Sequence, residues 1–266
     1  MSQARPDRLF RLDGRTAFIS GGAGHLGRTM VTALAAHGAH VIVNGRNEAR
    51  LAAFQAEMQS TGYSVATACF DMMDFDASRA FFGGLSRLDV LVNNAVTVEP
   101  GKIETQTPEA FDVAYRSTVT AAFEAMRGAE AALEAGVAAV GHASVVNIAT
   151  MYGRVAPDPR IYGTSGLNSP PAYGPAKAGL LQLTRHMAAH WGPKAIRVNA
   201  VLPGPFPSPS IQTAKPEFAK ALADKTMLRR IGAPDEIAGS VVFLASDAAR
   251  FVTGSEIAVD GGWTAW

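Results

Sequence analysis

A doubly wound parallel α/β sheet in three layers, carried by a single domain, is the fold this sequence predicts. Three observations predict it. Short apolar runs with strand-like composition alternate with longer helical patterns almost to the last residue. The apolar run Thr16-Ala-Phe-Ile-Ser20 leads at once into the glycine-rich turn Gly21-Gly-Ala-Gly-His-Leu-Gly27, and then into Met30, Val31, Leu34 and Ala35 at helical spacing. The 266 residues, 48% apolar and 18% charged, suffice for one large core.

The elements follow in order. Strands are expected near 16–20, 40–44, 65–70, 89–93, 143–149, 195–201 and 256–260, with helices near 25–37, 47–60, 75–86, 107–135, 172–191 and 234–245. Ser144-Val-Val-Asn-Ile-Ala149 is apolar but for Ser144 and Asn147, as expected of a strand covered on both faces. Residues 1–12 are read as a flexible segment preceding a domain at 13–266. Two segments break the alternation. Arg154 to Pro171 holds four prolines and two glycines, and Pro203-Gly-Pro-Phe-Pro-Ser-Pro209 has four prolines in seven residues, so regular structure is not expected in either. Both follow strands, which puts them at the carboxyl edge where open α/β sheets bind ligands.

Gly22, Gly24 and Gly27 have the G-x-G-x-x-G spacing in the strand–turn–helix context of a Rossmann dinucleotide site. Glycine permits the tight turn and lets backbone amides approach a pyrophosphate at the positive end of the helix. The formal charge of +1, with no Lys/Arg-rich block, argues against nucleic acid and against an electrostatic membrane anchor. No apolar stretch approaches the length of a membrane span, and no targeting segment is evident, so a cytoplasmic protein is expected. The lone Cys69 excludes an intrachain disulfide and a multi-cysteine metal site, and its apolar surroundings predict a buried packing role.

Tyr173 and Lys177, in Pro171-Ala-Tyr-Gly-Pro-Ala-Lys-Ala-Gly179, fall on one helix face about a turn apart. A phenol has a reference pKa of roughly 10, and a nearby ammonium favours its phenolate, so the pair can serve as an acid/base device. A solvated helix face is the other reading of that spacing.

With the glycine turn and Tyr-x-x-x-Lys, three further motifs stand in order: Asp89-Val-Leu-Val-Asn-Asn-Ala95, Ile196-Arg-Val-Asn-Ala-Val-Leu-Pro-Gly204 and Val252-Thr-Gly-Ser-Glu-Ile-Ala-Val-Asp-Gly-Gly262. From about Asp13 to Gly262 the chain resembles the single-domain branch of the short-chain dehydrogenase/reductase family. The resemblance implies hydride transfer between a nicotinamide and a carbonyl or alcohol carbon, with Tyr173 as acid/base and Lys177 on the nicotinamide ribose. Thr150 stands where the family has its catalytic serine, and Thr118 where it has an asparagine that holds a relay water. The implied cofactor-binding set is Gly21, Gly24, His25, Leu26 and Gly27 in the turn, then Arg46, Asp71, Met72, Asn93, Ala95, Pro203 and Gly204, with Tyr173 and Lys177 shared. Asp71 could instead cap the following helix, and Asn93 could tie neighbouring strands. The mechanism calls for no metal, and the family assembles as homodimers or homotetramers.

Four departures qualify the resemblance. His25 takes a glycine position, against the helix or toward a phosphate, a spacing closer to the extended, sugar-nucleotide-modifying branch; that branch's extra substrate domain is not expected in a sequence running to Trp266. Thr150 replaces serine with another hydroxyl able to donate and accept. At Thr118 the asparagine is lost, leaving Thr118 or Ser117 to hold the water or an altered relay, and Val96 adds bulk beside the cofactor groove. The interval from Thr150 to Tyr173 is also longer than the family's, and the proline-rich insertion supplies Arg160, Tyr162, Asn168 and Ser169 to a polar substrate or to solvent.

Cofactor choice turns on Val41-Ile-Val-Asn-Gly-Arg-Asn47, which has no acid at the strand end and offers Arg46 to a 2′-phosphate. NADP(H) is therefore favoured over NAD(H); NAD held by Asn44 or Glu48 is the alternative. The expected function is oxidoreduction of a secondary alcohol or its ketone, on a sugar, polyol or sugar acid. The same stretch resembles gluconate-type dehydrogenases. An epimerase or dehydratase that retains its nicotinamide, and a catalytically silent binding protein, are the competing readings.

Overall fold

The computed structural model describes residues 6–266. Seven strands, β1 (Thr16–Ile19), β2 (His40–Gly45), β3 (Val65–Cys69), β4 (Val90–Asn93), β5 (Ala143–Ile148), β6 (Ile196–Pro203) and β7 (Glu256–Val259), form one sheet in the order β3-β2-β1-β4-β5-β6-β7. All neighbours are parallel. The order reverses between β1 and β4, and the crevice outside that switch point is where doubly wound sheets take ligands.

Helices cover both faces. On one lie α1 (His25–Ala36), α2 (Glu48–Ser60) and α9 (Ala238–Ala245), which pack Met30, Leu34, Leu51, Phe54 and Val241 against the sheet. On the other lie α3 (Phe75–Gly83), α5 (Ala121–Val140) and α6 (Tyr173–Trp191), which bring Phe82, Met126, Leu133, Leu180 and Trp191 against Phe18, Leu91 and Val145. Every residue of β4, β5 and β6 is buried, which explains their predominantly apolar character.

The helix expected over 107–135 is longer and is interrupted. Thr107 caps α4 (Pro108–Tyr115), a π-helical turn spans Arg116–Thr120, and α5 then runs to Val140, where Gly141 ends it in the left-handed region. The last expected helix opens as a 3-10 turn, Pro234–Ile237, before α9. Beyond Pro203 the chain forms two helices that the prolines conceal, α7 (Pro209–Ala214) and α8 (Pro216–Lys225). In both, proline stands in the first turn, where a missing N–H costs nothing.

Cys69 corrects an expectation: it is exposed. Its apolar run is β3, the edge strand, where the helical cover is incomplete and alternate residues reach solvent. Of the N-terminal segment, residues 1–5 lie outside the described residues. Pro6–Arg8 is a 3-10 turn, Leu12 is fully buried, and the Leu12 amide donates to the His37 carbonyl at 2.8 Å.

Candidate active site and nucleotide cavity

Where β1, β2 and β4 end, a cavity of about 590 Å³ opens between the glycine turn, the loop after β2 and the loop after β4. Gly21, Gly24, His25, Leu26, Gly27, Arg46, Asp71, Met72 and Ala95 line it together, as does Val96. Gly21 has φ +64°, and a Cβ on Gly27 would lie 2.3 Å from the Gly21 carbonyl oxygen, so the turn cannot close around a larger residue. Gly24 caps α1 without a side-chain acceptor, which leaves first-turn amides facing the cavity for an anion. The volume, the amide cradle and the cation at the far end fit a dinucleotide.

At that far end Arg46 Nη1 lies 3.4 Å from Asp71 Oδ2, both partly exposed. Asp71 also accepts from the Met73 amide at 2.9 Å, while Asp74 caps α3. His25, the first residue of α1, is exposed at the cavity rim. Asn93, Pro203 and Gly204 do not line this cavity. The Asn93 amide donates to Asn147 Oδ1 at 2.8 Å and so ties β4 to β5. Pro203 ends β6 opposite Val259, whose carbonyl accepts from the Gly204 amide at 2.9 Å.

Tyr173 opens α6 and Lys177 lies one turn further on, its Nζ 5.9 Å from the phenol ring centre. Lys177 is 3% exposed and donates to the Ile148 carbonyl at 2.6 Å. Burial pulls its pKa down to about 8. The Tyr173 phenol is pushed up by burial, and its hydrogen bond with Thr150 pulls the other way. Thr150 is itself buried, at the head of the 3-10 turn Met151–Gly153, where its hydroxyl also accepts from the Tyr152 amide at 3.4 Å.

Behind Lys177 a void of about 10 Å³ is lined by Asn93, Thr118 and Lys177. Thr118 Oγ1 and Asn93 Oδ1 are buried there without a hydrogen-bond partner among the described residues. Ser117 is already engaged: its hydroxyl donates to the Thr97 carbonyl at 2.8 Å and accepts from the Thr97 amide at 3.1 Å. The void has room for about one water. Ala95, Met72 and Ser117 line both it and the nucleotide cavity.

Residues 21–264 match the protein-family model described as Enoyl-(Acyl carrier protein) reductase. L-xylulose reductase of Bos taurus is 32% identical over 257 residues, covering 96% of this chain and 98% of the relative. The chain belongs to the short-chain dehydrogenase/reductase family. Another relative of this short-chain dehydrogenase/reductase is the galactitol 2-dehydrogenase (L-tagatose-forming) of Cereibacter sphaeroides, 32% identical with 97% and 98% covered. Among solved structures, a gluconate 5-dehydrogenase from Burkholderia cenocepacia J2315 in complex with NADP and tartrate superposes with a TM-score of 0.85 at 28% identity, covering 97% and 98% of the two chains.

Several side chains of this dehydrogenase/reductase escaped the sequence reading. Ser20 Oγ accepts from the Asn94 and Ala95 amides at 2.9 and 3.0 Å, and the Asn94 amide group donates to the Ser20 and Gly21 carbonyls, so the two brace the glycine turn against the β4 loop. Arg50 joins Arg46 at the cavity from the first turn of α2, where its amide donates to the capping Asn47 side chain at 2.8 Å. Asn147 donates to Thr184 Oγ1 at 2.9 Å, which extends the Asn93 link from the sheet into α6 and sets the helix that bears Tyr173. Only the four-residue spacing of Arg46 and Arg50 left a signal in sequence.

Proposed function

We propose that this short-chain dehydrogenase/reductase uses NADP(H) to interconvert a secondary alcohol and its ketone on a sugar-like or polyol substrate, with Tyr173 as the acid/base group. The observation that carries the proposal is the hydrogen-bonded Tyr173–Thr150 pair above buried Lys177, next to a cavity of dinucleotide size. When bound, the nicotinamide supplies or accepts the hydride. In reduction the Tyr173 phenol, held neutral by burial, donates its proton to the carbonyl oxygen, and Thr150 hydrogen-bonds that oxygen and fixes its position. Oxidation reverses these roles. Lys177 holds the nicotinamide ribose and, as an ammonium, favours the phenolate once the substrate oxygen has been protonated.

A water held by Thr118 Oγ1 and Asn93 Oδ1 is our account of proton resupply behind Lys177, since Ser117 is occupied by Thr97. Preference for NADP over NAD rests on Arg46 and Arg50 at the cavity's far end and on the NADP named in the solved relative. Arg46 can exchange its exposed Asp71 partner for a 2′-phosphate. The sugar-like substrate class rests on the activities named for the relatives. We take each chain to be a single cytoplasmic domain and the working unit to be a homodimer or homotetramer, assembled through the face bearing the exposed rings of Phe111, Tyr115 and Phe123.

The test is Tyr173→Phe assayed on neutral polyols, ketoses and sugar acids. Turnover is expected to fall by roughly 100- to 10,000-fold, while NADPH binding stays within about a factor of two because the aromatic ring is retained and only its hydroxyl is lost. Undiminished turnover in that variant overturns the mechanism.

A further inference from the structure

The proline-rich insertion is a braced wall. Tyr162 stacks on Phe218 of α8, with ring centres 5.6 Å apart and planes 19° from parallel. Asp158 lies 3.3 Å from Lys225 at the end of α8 and also holds Arg160. On the other side Asn168 donates to the Gly101 carbonyl at 2.6 Å. Ile161 is buried with Met151, Leu222 and Trp263 beneath these contacts.

This bracing brings Tyr162 to Tyr152, the second residue after Thr150, with hydroxyl oxygens 3.3 Å apart. Tyr152 is seated edge-on against Trp263 at 6.3 Å. Its phenol is pushed far up, first by burial and then by Tyr162, and the 3-10 turn that carries it is headed by Thr150, the partner of Tyr173. Two phenols bonded to each other keep one O–H and several lone pairs for a third group. That inventory suits an alcohol, which both donates and accepts. A carboxylate needs donors alone, and the wall carries the Asp158 carboxylate, held ionised first by Arg160. Of the wall's cations, Arg160 and Lys225 are engaged on Asp158 and Arg154 on Glu256, and Lys102 beside the Gly101 anchor is exposed to solvent.

We infer that the Tyr152–Tyr162 hydroxyl pair, backed by Asp158, positions a hydroxyl of the substrate and selects neutral polyols and ketoses over sugar acids. The inference rests on the oxidoreductase reading above and adds the substrate's charge. Tyr152 and Tyr162 are positioning groups for the part of the substrate remote from the reacting carbon; they take no proton from it.

The test compares kcat/KM for neutral polyols and ketoses with that for the matching aldonic and keto acids, using NADP(H) and the full chain. Wild type is expected to prefer the neutral class by about tenfold or more. Tyr162→Phe should raise KM for the neutral substrates about fivefold with little change in kcat. Asp158→Asn, which keeps a capping oxygen and releases Lys225, should shift the ratio toward the acids by about threefold or more. A wild-type preference for the acids, or variants that leave both KM and the ratio unmoved, overturns this inference alone. Turnover of neither class by protein that binds NADPH overturns the oxidoreductase reading and this inference with it.

Discussion

Lys177 carries an ammonium into a site where burial pulls its pKa from 10.5 to about 8. The unfolded chain therefore binds more protons between those values, and this residue's contribution to stability rises with pH across that window. The cost of the buried charge is fully present below pH 8 and relieved by 10.5. Comparing unfolding free energies of wild type and Lys177→Met should show the difference moving toward wild type by about 3 kcal/mol between the two pH values; a difference that ignores pH would mean Lys177 is not desolvated. Arg46 is the opposite case, a guanidinium 63% exposed with only a loose carboxylate partner. Such a surface pair stabilises little, so the side chain is free to serve a ligand. Arg46→Ser should weaken NADPH binding by roughly 10- to 100-fold and leave NADH nearly unchanged, as read by fluorescence titration. Equal losses for both cofactors would remove the 2′-phosphate role. Tyr173, Lys177 and the glycine turn were legible in sequence because their geometry is local. Cys69 was not, since its exposure depends on β3 lying at the sheet edge.

At the scale of elements, the π-helical turn Arg116–Thr120 forms one wall of the void behind Lys177. Such turns shift the register of the residues that follow, and here Thr118 reaches the void behind Lys177 while Ser117 is retained by Thr97. Thr118→Val is nearly isosteric but removes the hydroxyl. It should lower kcat by roughly 10- to 100-fold with NADPH affinity preserved; equal kcat would place the relay elsewhere. The sequence reading left Ser117 and Thr118 as alternatives, because helical periodicity carries no sign of a one-residue register change. Nor did it find α7 and α8. Prolines that argued against regular structure stand in their first turns, and Ser208 caps α7 by accepting from the Ile211 amide. The insertion at 154–171 was read correctly as lacking long helices or strands, having only the short turn Pro159–Ile161. What it docks against was not visible.

Across the whole molecule, the amino-terminal edge of the sheet is closed by a charged cluster far from the site. Arg197 Nη2 donates to the Leu244 carbonyl at 2.7 Å and Arg15 Nη1 to the Ala245 carbonyl at 3.3 Å, two cations at the negative end of α9. Asp247 pairs with Arg15 and lies 2.9 Å from His142 Nε2. The cluster joins β1, β5, β6 and α9, elements separated by most of the chain. Asp247→Ala leaves Arg15 buried without its counter-charge and should cost about 3 kcal/mol, measured by urea unfolding; a loss below about 0.5 kcal/mol would show the cluster to be dispensable.

The sequence by itself determined the parallel α/β fold, the order of its motifs, the nucleotide turn and the Tyr173–Lys177 pair. Each of these is written in short-range patterns: strand and helix periodicity, glycine spacing and one helical turn. Only the tertiary structure decided that Asn93 ties β4 to β5, that Arg46 meets Asp71, that Thr97 engages Ser117 while Thr118 lines the void behind Lys177, and that Tyr162 crosses to Tyr152. These are contacts between segments distant in the chain, set by the register of the parallel strands and by which helix covers which face. Neither is encoded in the spacing of neighbouring residues.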